Sequence, residues 1–338
     1  MKTLQVSFVR NTPNYAIARF LKKIPKHFKV DIVPEAKVLI ATTHLFLQNV
    51  SSEERQNFLK QCSEKVTILD NAEEACAPDW NLFDYCIGQY DPTMISDRYL
   101  CGFDFLDEYQ QVYNHRREVT KKQHFCNFIY SNSGGHHYRE KLFHIVSRYK
   151  NVHSLGAFLH NYDGDGITCR NEKGKNNAWY FSGIDLRKPY KFTIAAENAC
   201  FRGYTSEKIA LAYLSNSVPI YWGDPLVENI YNPESFINAN NLTEDELIER
   251  VRLLDDNQKE LENMLHMPAI LPHQYETRMR HVNESTERLI RILLQPEQVK
   301  GTGTYMSLYL KSLFPQKLGL RMLLKALVME VKNKIIKS

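Results

Sequence analysis

The segment that decides the fold runs from Tyr190 to Asn240 and reads YKFTIAAENACFRGYTSEKIALAYLSNSVPIYWGDPLVENIYNPESFINAN. Short runs at Lys191–Ala196 and Val218–Trp222 combine β-branched with aromatic residues, which predicts two buried strands. The apolar positions between them recur at helical spacing, and Thr205 is a suitable N-cap for that helix. Strand, helix and strand within roughly thirty residues form a βαβ unit, so we predict a parallel sheet with a right-handed crossover.

Polar residues gather where the first of these strands ends and the helix begins. Glu197 and Asn198 follow the strand, Tyr204 lies in the loop, and Glu207 and Lys208 occupy the first helical turn. Ligands of parallel sheets bind beyond the carboxyl ends of the strands, and helix N-termini favour anions. A lysine in a first helical turn opposes the helix dipole unless a bound anion compensates it, which favours a phosphate ligand. On spacing alone, Glu207 and Lys208 could equally be exposed and solvated.

Part of this segment resembles the donor-binding signature of the bacterial α-1,3/4-fucosyltransferases, glycosyltransferase family 10: AENACFRGYTSEKIALAYLSNSVPIYWG, then NPESFIN. The family pattern has a Phe-Glu-Asn block, a Tyr with Thr-Glu-Lys, Val-Pro-hydrophobic-Tyr-Trp-Gly and Pro-Ser-Phe-Ile. Ala196 and Ser206 replace the usual Phe and Thr, and neither change removes a charge. The resemblance implies that four residues contact a GDP-fucose donor: Asn198, Tyr204, Glu207 and Lys208. It implies that Glu207 contacts the ribose of the donor.

A second segment bears on the donor diphosphate. After a strand predicted at Phe125–Tyr130, SNSGGHHYREKLFHIVSRYK resembles the family's strand, loop and helix in which an arginine contacts the diphosphate. Arg139 occupies that place, in a loop about one residue longer than in relatives. An arginine fork can grip two phosphate oxygens, although an ordinary solvated helix arginine is the alternative.

A possible metal motif lies at Asp163 and Asp165, in the stretch YDGDG. Two such carboxylates could hold a divalent ion on a nucleotide diphosphate. The glycines around them favour a turn-rich loop instead. Because the resemblance implies donor binding without a metal, we expect no metal ligands and no cofactor beyond the donor substrate.

A candidate general base lies in NAEEACAPDWNLFDYCIGQYDPTMISDRYL, residues 71–100. Aligned without a gap through residues 81–88, this region resembles the family's acceptor domain, and Glu74 falls on the acidic residue proposed as the base. A carboxylate within hydrogen-bond reach can take the proton of a sugar hydroxyl as the new bond forms. Glu73 is the rival, where the family usually has Gly, and both could be loop carboxylates without a catalytic role.

The 338 residues suit two domains of ordinary size. Strands and helices alternate in the first 110 residues, which predicts a doubly wound parallel sheet. With the resemblance, the expected fold is α/β, with two Rossmann-like domains facing a cleft in the arrangement called GT-B. We place an acceptor-binding domain at 1–120, a donor-binding domain at 121–300 and a basic amphipathic tail at 301–338. The charged segment His115–His124 is the expected linker.

Composition excludes several classes of protein. The formal charge is only +4, and no basic stripe with interleaved aromatic residues indicates a nucleic-acid partner. The seven cysteines are scattered without a Cys-x-x-Cys pair, which indicates reduced thiols of a cytoplasmic protein. The start, MKTLQVSFVRN, lacks an apolar core, and no apolar run reaches about 18 residues, so we expect no signal peptide and no membrane span.

The tail has the pattern of a helix that lies on an anionic membrane surface, although packing on the protein itself is the alternative. Its apolar positions follow helical spacing: Leu320, Leu323, Leu324, Leu327, Val328, Val331 and Ile335. Basic residues flank them: Lys317, Arg321, Lys325, Lys332, Lys334 and Lys337. We therefore expect a cytoplasmic protein held peripherally at the inner face of the membrane.

The resemblance implies an inverting transfer of L-fucose from GDP-fucose to a hydroxyl of an N-acetylglucosamine unit, through an α-1,3 or α-1,4 linkage. The acceptor would be an N-acetyllactosamine-type oligosaccharide or a lipopolysaccharide. Two alternatives stay open. One is a non-catalytic protein that binds sugar nucleotides or glycans, and the other is a metal-dependent transferase of another sugar that uses Asp163 and Asp165.

Overall fold

The structure, a computed structural model, describes residues 2–42, 52–71, 80–89, 98–103, 105–163 and 178–300. These residues form two compact units. The first contains residues up to 103 together with residues 279–300, and the second contains residues 105–278. The proposed tail at 301–338, both candidate bases and Asp165 lie outside the described residues.

The first unit is built around a six-stranded sheet. Its elements are β1 (Thr3–Phe8), α1 (Asn14–Leu21), β2 (Lys29–Ile32), β3 (Val38–Thr42), α2 (Ser52–Glu64), β4 (Val66–Asp70), β5 (Tyr85–Gly88) and β6 (Tyr99–Cys101). The strand order is β2-β1-β3-β4-β5-β6, and every neighbouring pair is parallel. β3 and β4 are buried along their whole length, as strands covered on both faces must be.

The second unit is built around a five-stranded sheet. Its elements begin with α3 (Leu106–Asn114), β7 (His124–Phe128), α4 (Tyr138–Ser147), β8 (Val152–Ser154), α5 (Ala178–Arg187) and β9 (Tyr190–Ala196). They continue with α6 (Glu207–Leu214), β10 (Val218–Trp222), β11 (Ile237–Asn238), α7 (Glu244–Asp256) and α8 (Gln258–His266). The last helix, α9 (Pro272–Leu294), begins in this unit, and its residues from 279 onward belong to the first unit. The order β11-β10-β9-β7-β8 is again parallel throughout.

Both sheets have the same winding. In each, the chain places its second strand on one side of the first strand and its third strand on the other side. The strand order therefore reverses between β1 and β3 in the first unit and between β7 and β9 in the second. Such switch points are where doubly wound sheets bind ligands, beyond the carboxyl ends of the strands. The prediction of an α/β fold with parallel Rossmann-like sheets is confirmed.

Each unit has its own apolar core. In the second unit, Phe128, Phe192 and Ile220 from three adjacent strands are fully buried, and α4 and α7 cover them. In the first unit, the last turns of α9 close the core, because Leu289 and Leu293 pack among the β-strand residues. These contacts of α9 explain why residues 279–300 group with the first unit, although the sequence predicted 121–300 as one domain.

The predicted linker is part of the second unit. Arg117 donates hydrogen bonds to the carbonyls of Met264 and Met267, both at 2.7 Å, and its guanidinium lies over the ring of Tyr213. The units divide at residue 104, before α3, rather than in His115–His124. The charge pattern predicted a linker here, whereas the guanidinium of Arg117 donates hydrogen bonds to carbonyls at the end of α8.

Two predictions from composition can be compared with the described residues: the one on cysteines and the one on membrane spans. The cysteines among them are free thiols: Cys62, Cys86, Cys101, Cys126 and Cys200. Of the helices that the structure describes, none combines the length and the apolar character needed to cross a bilayer.

Candidate donor site at the carboxyl ends of β7 and β9

The candidate site lies at the switch point of the second sheet. The loop after β7 leads to α4 and Arg139, and the loop after β9 leads from Glu197 to α6 and Lys208. The two loops are joined by a backbone hydrogen bond from His136 to the carbonyl of Asn198, at 2.7 Å. The structure thus brings together at one sheet edge the donor residues that the sequence predicted in two separate segments.

The side chain of Tyr130 connects the end of β7 to the end of β9. Its side chain is buried, and its hydroxyl accepts a hydrogen bond from the Ala196 amide at 2.7 Å and lies within 3.0 Å of the Ala196 carbonyl. Burial raises the pKa of Tyr130 to about 12, so the phenol keeps its proton at neutral pH. No pattern in the sequence selects Tyr130, because a tyrosine at a strand end is most often a core residue.

Arg139 is held in place by a network of its own unit. One guanidinium nitrogen donates to the Asn198 side-chain oxygen at 2.9 Å, and another donates to the Asn132 carbonyl at 2.6 Å. The guanidinium lies over the Tyr130 ring, 4.6 Å from its centroid, and Arg139 is only 4% exposed. Burial lowers the pKa of this guanidinium, against the opposing effect of nearby Tyr130 and Glu197. Arg139 is therefore a buried, oriented cation rather than a solvated helix residue.

Glu197 is a fully buried carboxylate directly after β9. It accepts a hydrogen bond from the Ser206 amide at 2.8 Å and one from the Ser206 hydroxyl at 2.5 Å. Burial raises the pKa of Glu197, while Lys208 opposes that rise. Ser206, and not the predicted Thr205, is the N-cap residue of α6. Thr205 instead donates its hydroxyl to Asp224, at 2.9 Å.

Lys208 lies in the first turn of α6, as predicted, but its charge is compensated within the protein. Its ammonium nitrogen lies 3.2 Å from the Glu197 carboxylate, 2.8 Å from the Ser206 hydroxyl and 3.7 Å from the Glu207 carboxylate. Burial alone would lower the pKa of Lys208, but Glu207 and Glu197 outweigh it and raise the pKa above its usual range. An external anion is thus not required to explain a cation at this helix terminus, which corrects the inference from the dipole.

The remaining predicted donor residues differ in exposure. Asn198 is exposed, the side chain of Glu207 is 16% exposed, and Tyr204 is buried. Tyr204 is close enough to Arg139 and Lys208 to influence the pKa of both cations. A ligand at this edge of the sheet can therefore reach Asn198 and Glu207 directly.

A second buried carboxylate, Asp224, fixes the loop before α6. It accepts hydrogen bonds from the Gly203 amide at 2.9 Å and the Leu226 amide at 2.8 Å, in addition to the Thr205 hydroxyl. Burial raises the pKa of Asp224 from 3.8 to about 6. Sequence reasoning missed this residue, since Gly-Asp-Pro after a strand indicates a turn before it indicates a buried acid.

An aromatic group covers the ends of β7 and β10. Trp222 is buried, and the rings of His136 and Tyr138 each lie 4.9 Å from its ring. His136 uses its Nδ1 atom to accept the Tyr138 amide, at 3.1 Å. Burial and His137 both lower the pKa of His136. The two histidines thus belong to a stacked cluster in the loop before α4.

The candidate metal ligands and general bases lie at the limit of the described residues or outside them. Asp163 is the last described residue before a gap; its carboxylate is 93% exposed and lies 2.9 Å from His160. Its partner in the motif, Asp165, and the acidic pair Glu73 and Glu74 lie outside the described residues. Within the described ranges, no group of three or more His, Cys, Asp or Glu side chains could hold a metal ion.

Comparison with solved structures identifies the class of fold. A crystal structure of an α1,3-fucosyltransferase with GDP-fucose matches with a TM-score of 0.61, over 85% of this chain and 91% of that chain, at 20% sequence identity. The two parallel α/β units therefore share the GT-B fold of that structure.

Sequence comparison then shows which family the chain is similar to. Residues 119–280, just under half of the chain, match the profile described as glycosyltransferase family 10 (fucosyltransferase), C-terminal domain. The α-(1,3)-fucosyltransferase FucT of Helicobacter pylori is 29% identical over 221 residues, which is 56% of this chain and 44% of that protein. The α-(1,4)-fucosyltransferase of Arabidopsis thaliana is 33% identical over 112 residues, 31% of this chain and 28% of that protein. The chain therefore spans less than half the length of these relatives.

Proposed function

We propose that this protein is an inverting fucosyltransferase that moves L-fucose from GDP-fucose to a hydroxyl of an N-acetylglucosamine unit. The observation that carries the proposal is the convergence of Arg139 and Lys208 at one switch point, bonded to the consecutive residues Asn198 and Glu197. Two oriented cations at the carboxyl edge of a doubly wound sheet suit a nucleotide diphosphate. The family match over residues 119–280 and the names of the relatives support fucose as the sugar.

The leaving diphosphate develops negative charge as the glycosidic bond to fucose breaks. Arg139, Lys208 and the first amides of α6 are the groups that would stabilise this charge. A donor phosphate oxygen would take the acceptor position that the Asn198 side chain now fills at Arg139. Asn198 is then released to contact the donor itself, while the partly exposed Glu207 binds the ribose hydroxyls.

The acceptor hydroxyl needs a base, and Glu74 is the proposed one, with Glu73 as its rival. A carboxylate would take the hydroxyl proton while the oxygen attacks the anomeric carbon from the face opposite the diphosphate. One displacement inverts the anomeric configuration, and no covalent sugar intermediate on the protein is needed.

We propose an N-acetyllactosamine-type glycan or a lipopolysaccharide as the acceptor, with an α-1,3 or α-1,4 linkage. The basic amphipathic tail at 301–338 would hold the protein at the cytoplasmic face of an anionic membrane. Tails of this pattern bind such surfaces through buried apolar area and through attraction to anionic lipids.

The test is incubation with GDP-fucose and a panel of type 1 and type 2 N-acetyllactosamine acceptors. Transfer of fucose with inversion supports the proposal, and the preferred acceptor distinguishes the α-1,3 from the α-1,4 linkage. Glu74→Ala should abolish turnover while the affinity for GDP is kept, and Glu73→Ala is its matched control. Binding of GDP-fucose without transfer to any acceptor would indicate a binding protein instead.

The same assay separates the metal-dependent alternative. Activity that is unchanged in EDTA excludes a role for a divalent ion on Asp163 and Asp165. Activity that EDTA abolishes, and that Mg²⁺ or Mn²⁺ restores, would overturn the metal-free scheme.

A further inference from the structure

Glu197 is a buried charge, and its ionic partner, Lys208, lies in the first turn of α6. It follows β9 directly, is 0% exposed, and receives two hydrogen bonds from Ser206 and one from Lys208. A buried carboxylate is costly unless it is paired and hydrogen-bonded. The pairing here joins the end of a core strand to a lysine that is 15% exposed.

The contacts of Lys208 leave part of its ammonium group available. A lysine ammonium has three hydrogens to donate. Glu197 and Ser206 accept two of them, at 3.2 and 2.8 Å, while the Glu207 carboxylate, at 3.7 Å, is an ion pair without hydrogen-bond geometry. One hydrogen therefore has no acceptor within the described part of the chain, and the ammonium that carries it is held on two sides.

We infer that Glu197 is the positioning residue for Lys208: it fixes the ammonium and the first turn of α6 in the geometry that receives a nucleoside diphosphate. This inference rests on the proposed function and adds a residue to it. A free lysine loses rotamer entropy when a ligand immobilises it. Because Glu197 orders the side chain during folding, a diphosphate binds without that loss.

The end of β10 holds Glu197 in turn. Gly223 has a φ of 154°, and a Cβ atom there would lie 2.7 Å from the Cβ atom of Glu197. The backbone at Gly223 therefore closes against the stem of the glutamate. The Glu197 side chain is confined by Gly223 on one side and by Ser206 and Lys208 on the other.

The test is a double-mutant cycle on the full chain, with GDP affinity measured by calorimetry. Glu197→Gln should weaken GDP binding by ~10-fold or more, the range of a charge-assisted hydrogen bond. Lys208→Met should weaken it at least as much. The double variant should bind GDP no more weakly than Lys208→Met alone, because Glu197 acts through the lysine. Additive losses, or a normal Glu197→Gln, would overturn the inference.

A matched control separates positioning from stability. Asp255 is another buried carboxylate paired with a lysine, Lys191, at 2.6 Å, and this pair lies at the amino end of the same strand. Asp255→Asn should lower the unfolding temperature but leave GDP affinity within about twofold. If Asp255→Asn weakens GDP binding as much as Glu197→Gln does, the effect of Glu197 is general destabilisation and the inference fails.

Two further outcomes keep the inference distinct from the proposed function. If Glu197→Gln does not fold, Ser206→Ala replaces it in the cycle, with an expected loss of about threefold to tenfold in GDP affinity that vanishes in the Lys208→Met background. If the unaltered protein binds GDP but transfers no fucose, the proposed function fails while the cycle still tests Glu197. If it binds no GDP, both fail.

Discussion

The Lys208 ammonium lies 3.2 Å from the buried carboxylate of Glu197. The lysine of the donor-binding signature is therefore one member of an ion pair within the protein. Arg139 and Lys208 contribute two positive charges to this sheet edge, and Glu197 and Glu207 contribute two negative ones. These four charges cancel formally. Selectivity for the proposed diphosphate would then depend on the geometry of the hydrogen-bond donors rather than on the charges of these four residues.

Removal of Lys208 should affect both binding and folding. Lys208→Ala leaves Glu197 as a buried, unpaired carboxylate, which typically costs ~3–5 kcal/mol of stability when the partner of a buried charge is lost. Urea unfolding should show this loss, and calorimetry should show weaker GDP binding. Adding Glu197→Gln should restore stability but not affinity. A Lys208→Ala variant with normal affinity for GDP would remove Lys208 from the donor site.

Arg139→Lys tests whether orientation or charge is needed at the diphosphate. Lysine keeps the charge but cannot bond to the Asn198 oxygen and the Asn132 carbonyl with one planar group, nor lie flat over Tyr130. GDP affinity should fall by ~10-fold. The control is Arg148→Lys, an exposed arginine paired with Glu244 just after the same helix, which should leave the affinity unchanged. Equal effects of the two substitutions would contradict the assignment.

Much of the fold could be predicted because each strand near the site is a short apolar run. Val218–Trp222 was predicted with its observed bounds, and Lys191–Ala196 begins only one residue late. The short strands β8 and β11, of three and two residues, carry no periodic pattern and were missed. The compact units divide before α3, because α3 and Arg117 pack on elements far along the chain, which local charge cannot indicate.

The candidate site was predictable in its residues but not in its connections. The resemblance selected Arg139 and Lys208, and parallel topology explains why two segments about sixty residues apart meet at one edge. The buried carboxylates of Glu197 and Asp224 were assigned no role, because burial of an acid after a strand depends on the partners that the fold brings to it. The N-cap was assigned to Thr205 since both it and Ser206 are suitable types.

Asp224 should make stability depend on pH in a defined direction. Its pKa rises from 3.8 to about 6 on folding, so the folded state binds a proton more readily and loses stability as the pH rises from 4 to 6. Asp224→Asn removes this titration. The unfolding free energy of the variant minus that of the unaltered protein should increase by up to ~3 kcal/mol across this range and level off above it. A difference that is flat with pH would show that the Asp224 pKa is not raised.

Gly223→Ala should destabilise the protein and weaken GDP binding together. A φ of 154° is strained for alanine, and the added methyl group would press on Glu197. The expected cost is ~1–3 kcal/mol in urea unfolding. Gly183→Ala is the control, because it lies inside helix α5 and its methyl group would meet only side-chain atoms at 3.1 Å or more. That substitution should be neutral or slightly stabilising. Loss of stability without loss of affinity at Gly223 would argue that Glu197 can move freely.

The C-terminal segment should decide membrane attachment independently of the donor site. Charge reversal at Arg321, Lys325 and Lys332 removes three cations from the proposed membrane-facing helix, each expected to contribute about 1 kcal/mol near an anionic surface. Sedimentation with vesicles that contain phosphatidylserine should therefore fall at least tenfold, while GDP affinity stays unchanged.

The matched control for the tail reverses the exposed lysines Lys26 and Lys259, which lie outside it. These changes should leave vesicle binding within about twofold, although they alter the net charge in the same direction. Vesicles of neutral phosphatidylcholine should bind neither form well, because the apolar stripe alone provides a marginal anchor. The tail is not the membrane-binding element if the tail variant still sediments with anionic vesicles. The same conclusion follows if the control variant loses vesicle binding to the same extent. Packing of the tail on the protein itself then becomes the better explanation of its pattern.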